Sequence, residues 1–270
     1  MAFDYLSISI MAARAAGSII LEHLGEAGEI RHKGKTDLVT ETDILCEKTI
    51  YRILSDAFPD IGFLSEEGTS DHLSGDMMWV VDPLDGTTNF AHSYPHVAIS
   101  IALTREGAPD VAVVYNPFLK ELFHAELGKG AYLNGNRIYV SNVDSLKDAL
   151  LATGFPYRIC EKPELPLEVF CAIVPKAQGI RRAGAAALDL CYVASGRVDG
   201  FWELGLKPWD TAAGALLIRE AGGEITDGAG SPYSSGDAFL LASNGKLHEE
   251  LLSFTSKTAT AEKIRQWCEP

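Results

Sequence analysis

Residues 79–90 read WVVDPLDGTTNF, an apolar run that ends in two aspartates three positions apart. No other segment constrains the fold as much. A strand carrying Trp79, Val80 and Val81 has to be buried, and carboxylates at its end lose their hydration unless something compensates them. The chain therefore needs a strand that enters a core and stops where such compensation is at hand. Pro83 biases Asp82 toward extended backbone and keeps a helix from starting there, so the pattern predicts a short strand over 77–81 with Asp82 at its end. Asp85 enters the turn that Gly86 permits, and both carboxylates and the Leu84 carbonyl can converge on one point. All of these donors are hard oxygens, which favours magnesium or manganese over zinc. Gly86, Thr87 and Thr88 then read as a helix start whose free amides suit an anion. A plain turn is the competing reading, since Asp, Pro and Gly each favour turns for local reasons.

Other acids bear on that choice. Glu66 and Glu67 close an apolar segment in LSEEG, Asp43 begins a helix in TDLVTETD, and Asp210 opens another in KPWDTAAG. Each has a local explanation: Asp43 with Thr40 in an approximate capping box, Asp210 as an N-cap, the glutamates as a solvated loop. Their joint occurrence is harder to explain locally.

The rest of the pattern is mixed. Leu6, Ile10, Ala13, Gly17, Ile20 and Leu24 recur at helical spacing and predict a one-sided helix over 5–24. A second is predicted over 42–58, with Cys46, Ile50, Ile53, Leu54, Ala57 and Phe58 as its buried stripe and Pro59 at its exit. The middle third alternates: Val97, Ile99, Ile101 and Leu103, then Val111, Val113 and Tyr115, then 122–127, with turns at EGAPD, NPFLK and NGN. Beyond residue 145 the spacing predicts helices over 184–195, 210–221 and 247–254 and strands over 199–205, 224–226 and 239–243. Residues 156–179, with four prolines, read as a long connection. Strand runs punctuated by helix pairs imply an α+β layered unit over 1–270, with an antiparallel sheet in an N-terminal lobe of about 1–144 and a second sheet in a C-terminal lobe of about 145–270.

Composition narrows the function classes. With 47% hydrophobic residues in 270, the chain can bury a large core. A formal net charge of −14 argues against a nucleic-acid backbone as partner, because counterion release needs clustered Lys and Arg. Five widely spaced cysteines without a CxxC pair fit a reducing, cytoplasmic setting. The N-terminus, with Asp4 and no basic region, reads as a helix and not a signal peptide, and no apolar run approaches a membrane span, so no membrane is expected.

TDLVTETD, FLSEEG, WVVDPLDGTTNF and KPWDTAAGALLIREAGG resemble, in order, the signature segments of the inositol monophosphatase family, and the similarity runs from about residue 12 to residue 247. The resemblance implies an αβαβα sandwich and a homodimeric, lithium-sensitive, Mg2+-dependent phosphomonoesterase that uses metal-activated water. By matching position it implies metal ligation by Glu66, Asp82, the Leu84 carbonyl, Asp85 and Asp210, and phosphate contacts from Gly86 and Thr87. GAAALDLC resembles the segment bordering the substrate ring, which brings in Gly184, Ala185 and Ala186, and Glu203 matches a carboxylate that accepts bonds from inositol hydroxyls. Lys33 and Lys35 are both candidates for a basic residue near the phosphate.

The acid cluster repels itself, so about two or three magnesium ions, or manganese, are expected per site. Glu66 and Thr87 are then assigned to the attacking water, Asp43 to a hydrogen bond that orients Thr87, and Asp210 to the metal near the leaving alkoxide. His92 and His96 are not needed as general bases, and Trp79, Trp202 and Trp209 are read as packing. The expected substrate is a small phosphate monoester, myo-inositol 1-phosphate first. Fructose 1,6-bisphosphate, alone or as a second activity, is the main alternative. Histidinol phosphate, or a non-catalytic role in transcription complexes, comes behind it.

Overall fold

The structure, a computed structural model, describes residues 4–25, 31–32, 38–39, 41–71 and 75–269. Lys33, Lys35 and Thr40 lie outside the described residues. Helix α1 (Tyr5–Glu22) is followed by the short strands β1 (Arg31–His32) and β2 (Leu38–Val39), helix α2 (Glu41–Ala57), and strands β3 (Gly62–Ser65), β4 (Ser70–Asp71) and β5 (Met77–Asp85). Helix α3 (Thr87–Ala91) leads into β6 (Ala98–Arg105), β7 (Ala108–Asn116), β8 (Glu121–Glu126), β9 (Gly130–Leu133) and β10 (Asn136–Arg137). Then come β11 (Leu150–Thr153), α4 (Glu164–Ile173), β12 (Gly179–Arg181), α5 (Ala186–Ala194), β13 (Gly200–Leu204) and α6 (Pro208–Glu220). The chain closes with β14 (Glu224–Thr226), β15 (Phe239–Ser243), α7 (His248–Thr258) and α8 (Ala261–Cys268).

The first large sheet has the order β10-β9-β8-β7-β6-β5-β3-β4. It is antiparallel except where β3 runs parallel to β5, so the sheet expected to be antiparallel is mixed. The second has the order β12-β11-β13-β15-β14, with β11 parallel to both of its neighbours.

Alternation along the first sheet decides the layering. Val81, Ile99, Ile101, Leu103, Val111 and Val113 face a core shared with α1 and α2. Val80, Ala98, Ala102, Ala112 and Val114 face the opposite way, into a core shared with α5, α6 and the second sheet. The small alanines on that side let α5 and α6 approach closely. A third core lies beyond the second sheet, between it and α4, α7 and α8. The result is an αβαβα sandwich of helix and sheet layers.

Four local expectations are corrected. By length and composition α1 is apolar enough to cross a membrane, with a mean hydropathy of 1.3 over Tyr5–Glu22. Its apolarity serves the core: Ala12, Ala13, Ala16 and Ile20 are buried against α2 and the first sheet. The 156–179 connection contains α4, where Pro166 falls in the first turn and its missing N–H costs no helical bond. α6 begins at Pro208, so Asp210 is its third residue and not its N-cap. The chain's last helix is α8, docked by a Trp267 Nε1 bond to the Lys162 carbonyl at 3.3 Å.

Candidate active site

β5 does not stop at Val81. It pairs with β6 through Asp82 opposite Ser100, slips, and resumes with Asp85 opposite Ala98. Pro83 falls in that irregularity, where no ladder amide is required of it. The Leu84 amide donates to Asp82 Oδ1 at 3.0 Å and holds the first carboxylate against the slip. Gly86 follows with φ of 92°, and a Cβ there would stand 2.9 Å from the His96 carbonyl oxygen, so only glycine fits this left-handed turn into α3.

Thr87, the first residue of α3, carries the next link. Its hydroxyl lies 2.9 Å from Asp43 Oδ1 and 3.2 Å from the Leu84 carbonyl oxygen. A hydroxyl has one proton, and the nearer carboxylate is the better acceptor, which leaves the threonine lone pairs to receive a donor. Asp43 itself sits in the first turn of α2 and is buried.

The other acids arrive from three directions. Glu66 follows β3, with its amide bonded to the Val81 carbonyl of β5 at 3.3 Å. Asp210 lies in the first turn of α6, where its Oδ2 accepts the Lys207 amide at 2.7 Å. Ser100, the partner of Asp82 in the ladder, donates to the Trp209 carbonyl at 3.1 Å and so brings the start of α6 to the end of β5. Asp85 Oδ2 accepts the Ala187 amide at 2.8 Å, a capping role for α5 that Ala185 has no side chain to perform.

The electrostatics follow from this crowding. Burial, then the charges of Glu66, Asp85 and Asp210, push Asp82 well above the usual carboxylate range. Asp85 is raised in the same direction by burial and Asp210, with the Ala187 amide opposing. Among the described residues no three His, Cys, Asp or Glu side chains form a ready-made coordination cage. The carboxylates share a neighbourhood and not a single point, as like charges do when nothing offsets them. A hard, oxygen-seeking divalent cation such as Mg2+ or Mn2+ fits this donor set, since it would supply the positive charge that the buried acids lack.

The second sheet brings one more acid, Glu203, near Asp85 and Asp210. Glu203 on β13 is buried, and a Cβ at Gly154 would collide with its carboxylate. Burial, then Asp189 and Asp210, raise Glu203 well above its ordinary value, while Arg182 pulls it back. Gly184, Ala185 and Ala186 lead into α5 beside it, and Asn89 of α3 fixes them by donating to the carbonyls of Ala183 at 2.9 Å and Gly184 at 3.2 Å. His96 is buried with Nε2 3.6 Å from Asp189 Oδ1, too long for a hydrogen bond, and His92 is exposed. Trp79 and Trp202 are packed in separate cores.

Sequence reasoning missed Glu47, Asn89, Ser100, Arg182 and Asp189. Glu47 alone left a signal: it lies on the apolar stripe of α2, one turn before Ile50 and two before Leu54. A charged residue on a buried stripe requires a partner.

A model of the inositol monophosphatase family matches residues 4–259. The chain is 46% identical over 255 residues to a Pseudomonas aeruginosa protein named Nus factor SuhB, covering 92% of this chain and 94% of that one. It is 45% identical over 249 residues to an inositol-1-monophosphatase of Synechocystis sp., covering 92% and 87%. Among solved structures, the extragenic suppressor protein suhB of Bartonella henselae superposes with a TM-score of 0.88 at 41% identity, covering 93% of this chain and 98% of that one.

Proposed function

The chain belongs to the inositol monophosphatase family, and from that premise we propose that it is a Mg2+-dependent phosphomonoesterase that converts myo-inositol 1-phosphate to inositol and phosphate. We read it further as lithium-sensitive, homodimeric and cytoplasmic. The observation that carries the reading is the crowding of Glu66, Asp85 and Asp210 about Asp82, together with a Thr87 hydroxyl that lies 3.2 Å from the Leu84 carbonyl oxygen and that Asp43 holds at 2.9 Å.

In this mechanism Glu66, Asp82, the Leu84 carbonyl, Asp85 and Asp210 would hold magnesium. Magnesium, when bound, supplies positive charge that acidifies a water and offsets charge on the entering and leaving oxygens. Asp43 takes the Thr87 proton in a hydrogen bond, so the Thr87 oxygen and the Glu66 carboxylate accept from the attacking water and aim it at phosphorus. Amides of Gly86 and Thr87 donate to the phosphate oxygens. Asp210 would hold the metal on the side of the leaving alkoxide. Glu203 accepts hydroxyl donors of the polyol, with Gly184, Ala185 and Ala186 bordering its ring, and this leans the substrate toward inositol over a second phosphate.

The test is phosphate release with Mg2+ from inositol 1-phosphate, fructose 1,6-bisphosphate, histidinol phosphate and 3'-phosphoadenosine 5'-phosphate, each with and without EDTA. Preference for inositol 1-phosphate is expected. Preference for fructose 1,6-bisphosphate would move the protein to a dual or fructose-bisphosphatase reading, and metal-independent release would overturn the site assignment.

A second reading is favoured by the name Nus factor SuhB on a relative at 46% identity: participation in a transcription complex independent of hydrolysis. Recovery of RNA polymerase components with Asp85→Asn protein from its own cells would support it. Their absence with both this variant and the wild type would remove it.

A further inference from the structure

We propose that Glu47 is a positioning residue for Glu66, and that α2 acts as the ruler between the two groups assigned to the attacking water. The proposal rests on the metal-dependent reading above. Glu47 lies one helical turn after Asp43, and the two carboxylates share the buried face of α2, at 4% and 1% exposure. Asp43 reaches Thr87. Glu47 reaches the opposite side of the site: its Oε2 accepts the Glu67 amide at 3.1 Å and its Oε1 accepts the Thr69 hydroxyl.

Backbone bonds also hold the turn that bears Glu66. The Glu66 amide bonds to Val81 at 3.3 Å and the Ser65 amide to the Thr69 carbonyl at 3.2 Å. Glu47 therefore ties the residue after Glu66 to the same helix that orients Thr87. A buried carboxylate is costly unless donors satisfy it, and a carboxylate with two acceptor oxygens matches one amide and one hydroxyl. An apolar residue on this stripe would leave both donors unmet, and the turn would be free to shift the Glu66 side chain.

Mn2+ binding followed by electron paramagnetic resonance tests this without reference to turnover. The proteins are wild type, Glu47→Gln, Glu47→Ala, Thr69→Val, Glu66→Gln and the Glu47→Ala/Glu66→Gln double variant, each checked for folding by circular dichroism. Glu47→Gln keeps one acceptor, so one Mn2+ site should weaken about 10-fold, and in Glu47→Ala about 100-fold, the range for residues that orient a ligand. Thr69→Val should act in the same direction as Glu47→Gln and less strongly. Because Glu47 acts through Glu66, the double variant should bind no more weakly than Glu66→Gln alone. Unchanged Mn2+ affinity in folded Glu47→Gln and Thr69→Val, or additive losses in the double variant, would overturn the proposal while leaving the metal site standing. A wild-type protein that binds no Mn2+ would overturn the metal reading, and the proposal with it.

Discussion

Two pairs of acids, buried except for the half-buried Asp85, sit on neighbouring elements of this molecule and differ in what surrounds them. Asp43 and Glu47 on α2 face separate groups of donors, Thr87 on one side and Glu67 with Thr69 on the other. Asp82 and Asp85 on β5 each receive one backbone amide, from Leu84 and Ala187. Both are pushed well above the normal carboxylate range, by burial first and then by neighbouring like charge, Glu66 and Asp210 among it. Hydrogen bonding alone does not separate the pairs. On β5 like charge adds to burial, and that combination marks where the fold relies on positive charge from outside the chain.

The comparison can be broken at several points. The largest effect is expected from Asp85→Asn, which keeps an acceptor for the Ala187 amide but removes charge from the crowd. Mg2+-dependent phosphate release should fall about 10^3-fold, and near-normal kcat would mean that the β5 acids are structural after all. Thr87→Val breaks the link from α2 to the site and should lower kcat about 100-fold with little change in KM; a rise in KM alone would assign Thr87 to substrate binding. Glu203→Gln should raise KM for inositol 1-phosphate about 10-fold and spare kcat. An equal change with a non-polyol phosphate monoester would remove Glu203 as a polyol reader.

The smallest effect has the opposite sign. Asp82→Asn should stabilise the metal-free chain by about 0.5–2 kcal/mol in chelated thermal denaturation, because it relieves repulsion. The pH dependence follows from the same shift. A carboxylate raised in the folded state contributes stability below its unfolded pKa of about 4 and loses it as pH climbs through the folded value. The gap in stability between Asp82→Asn and wild type should therefore widen from about pH 4 upward. A gap that is constant with pH would show that Asp82 is not the source.

Much of the layering was legible because each periodicity had a single outlet. The i, i+3, i+4 stripes of α1 and α2 had one sheet to cover, and the alternation from Ala98 to Glu126 had to face two helix layers. What failed was punctuation. Pro83 reads as a stop, yet a slip in the ladder absorbs it and β5 runs on to Asp85. Pro166 reads as a loop residue, yet in a first turn it is harmless. α8 escaped because only Ile264 and Trp267 of its face join a core, among charged neighbours. In the candidate site, the acids were visible by residue type. Glu47 shows in the sequence only as a charge on an apolar stripe, and its partners do not, since its donors lie 20 and 22 residues away.

Gly154 follows β11 at the level of Glu203 on the adjacent β13, and the glutamate owes its place to the methyl group that Gly154 lacks. Selection on the placement of Glu203 thus has a coarse control outside the set of side chains a ligand would touch. Randomising those side chains alone would tune preferences in small steps. Any side chain at position 154 displaces the Glu203 carboxylate from this place in a single step.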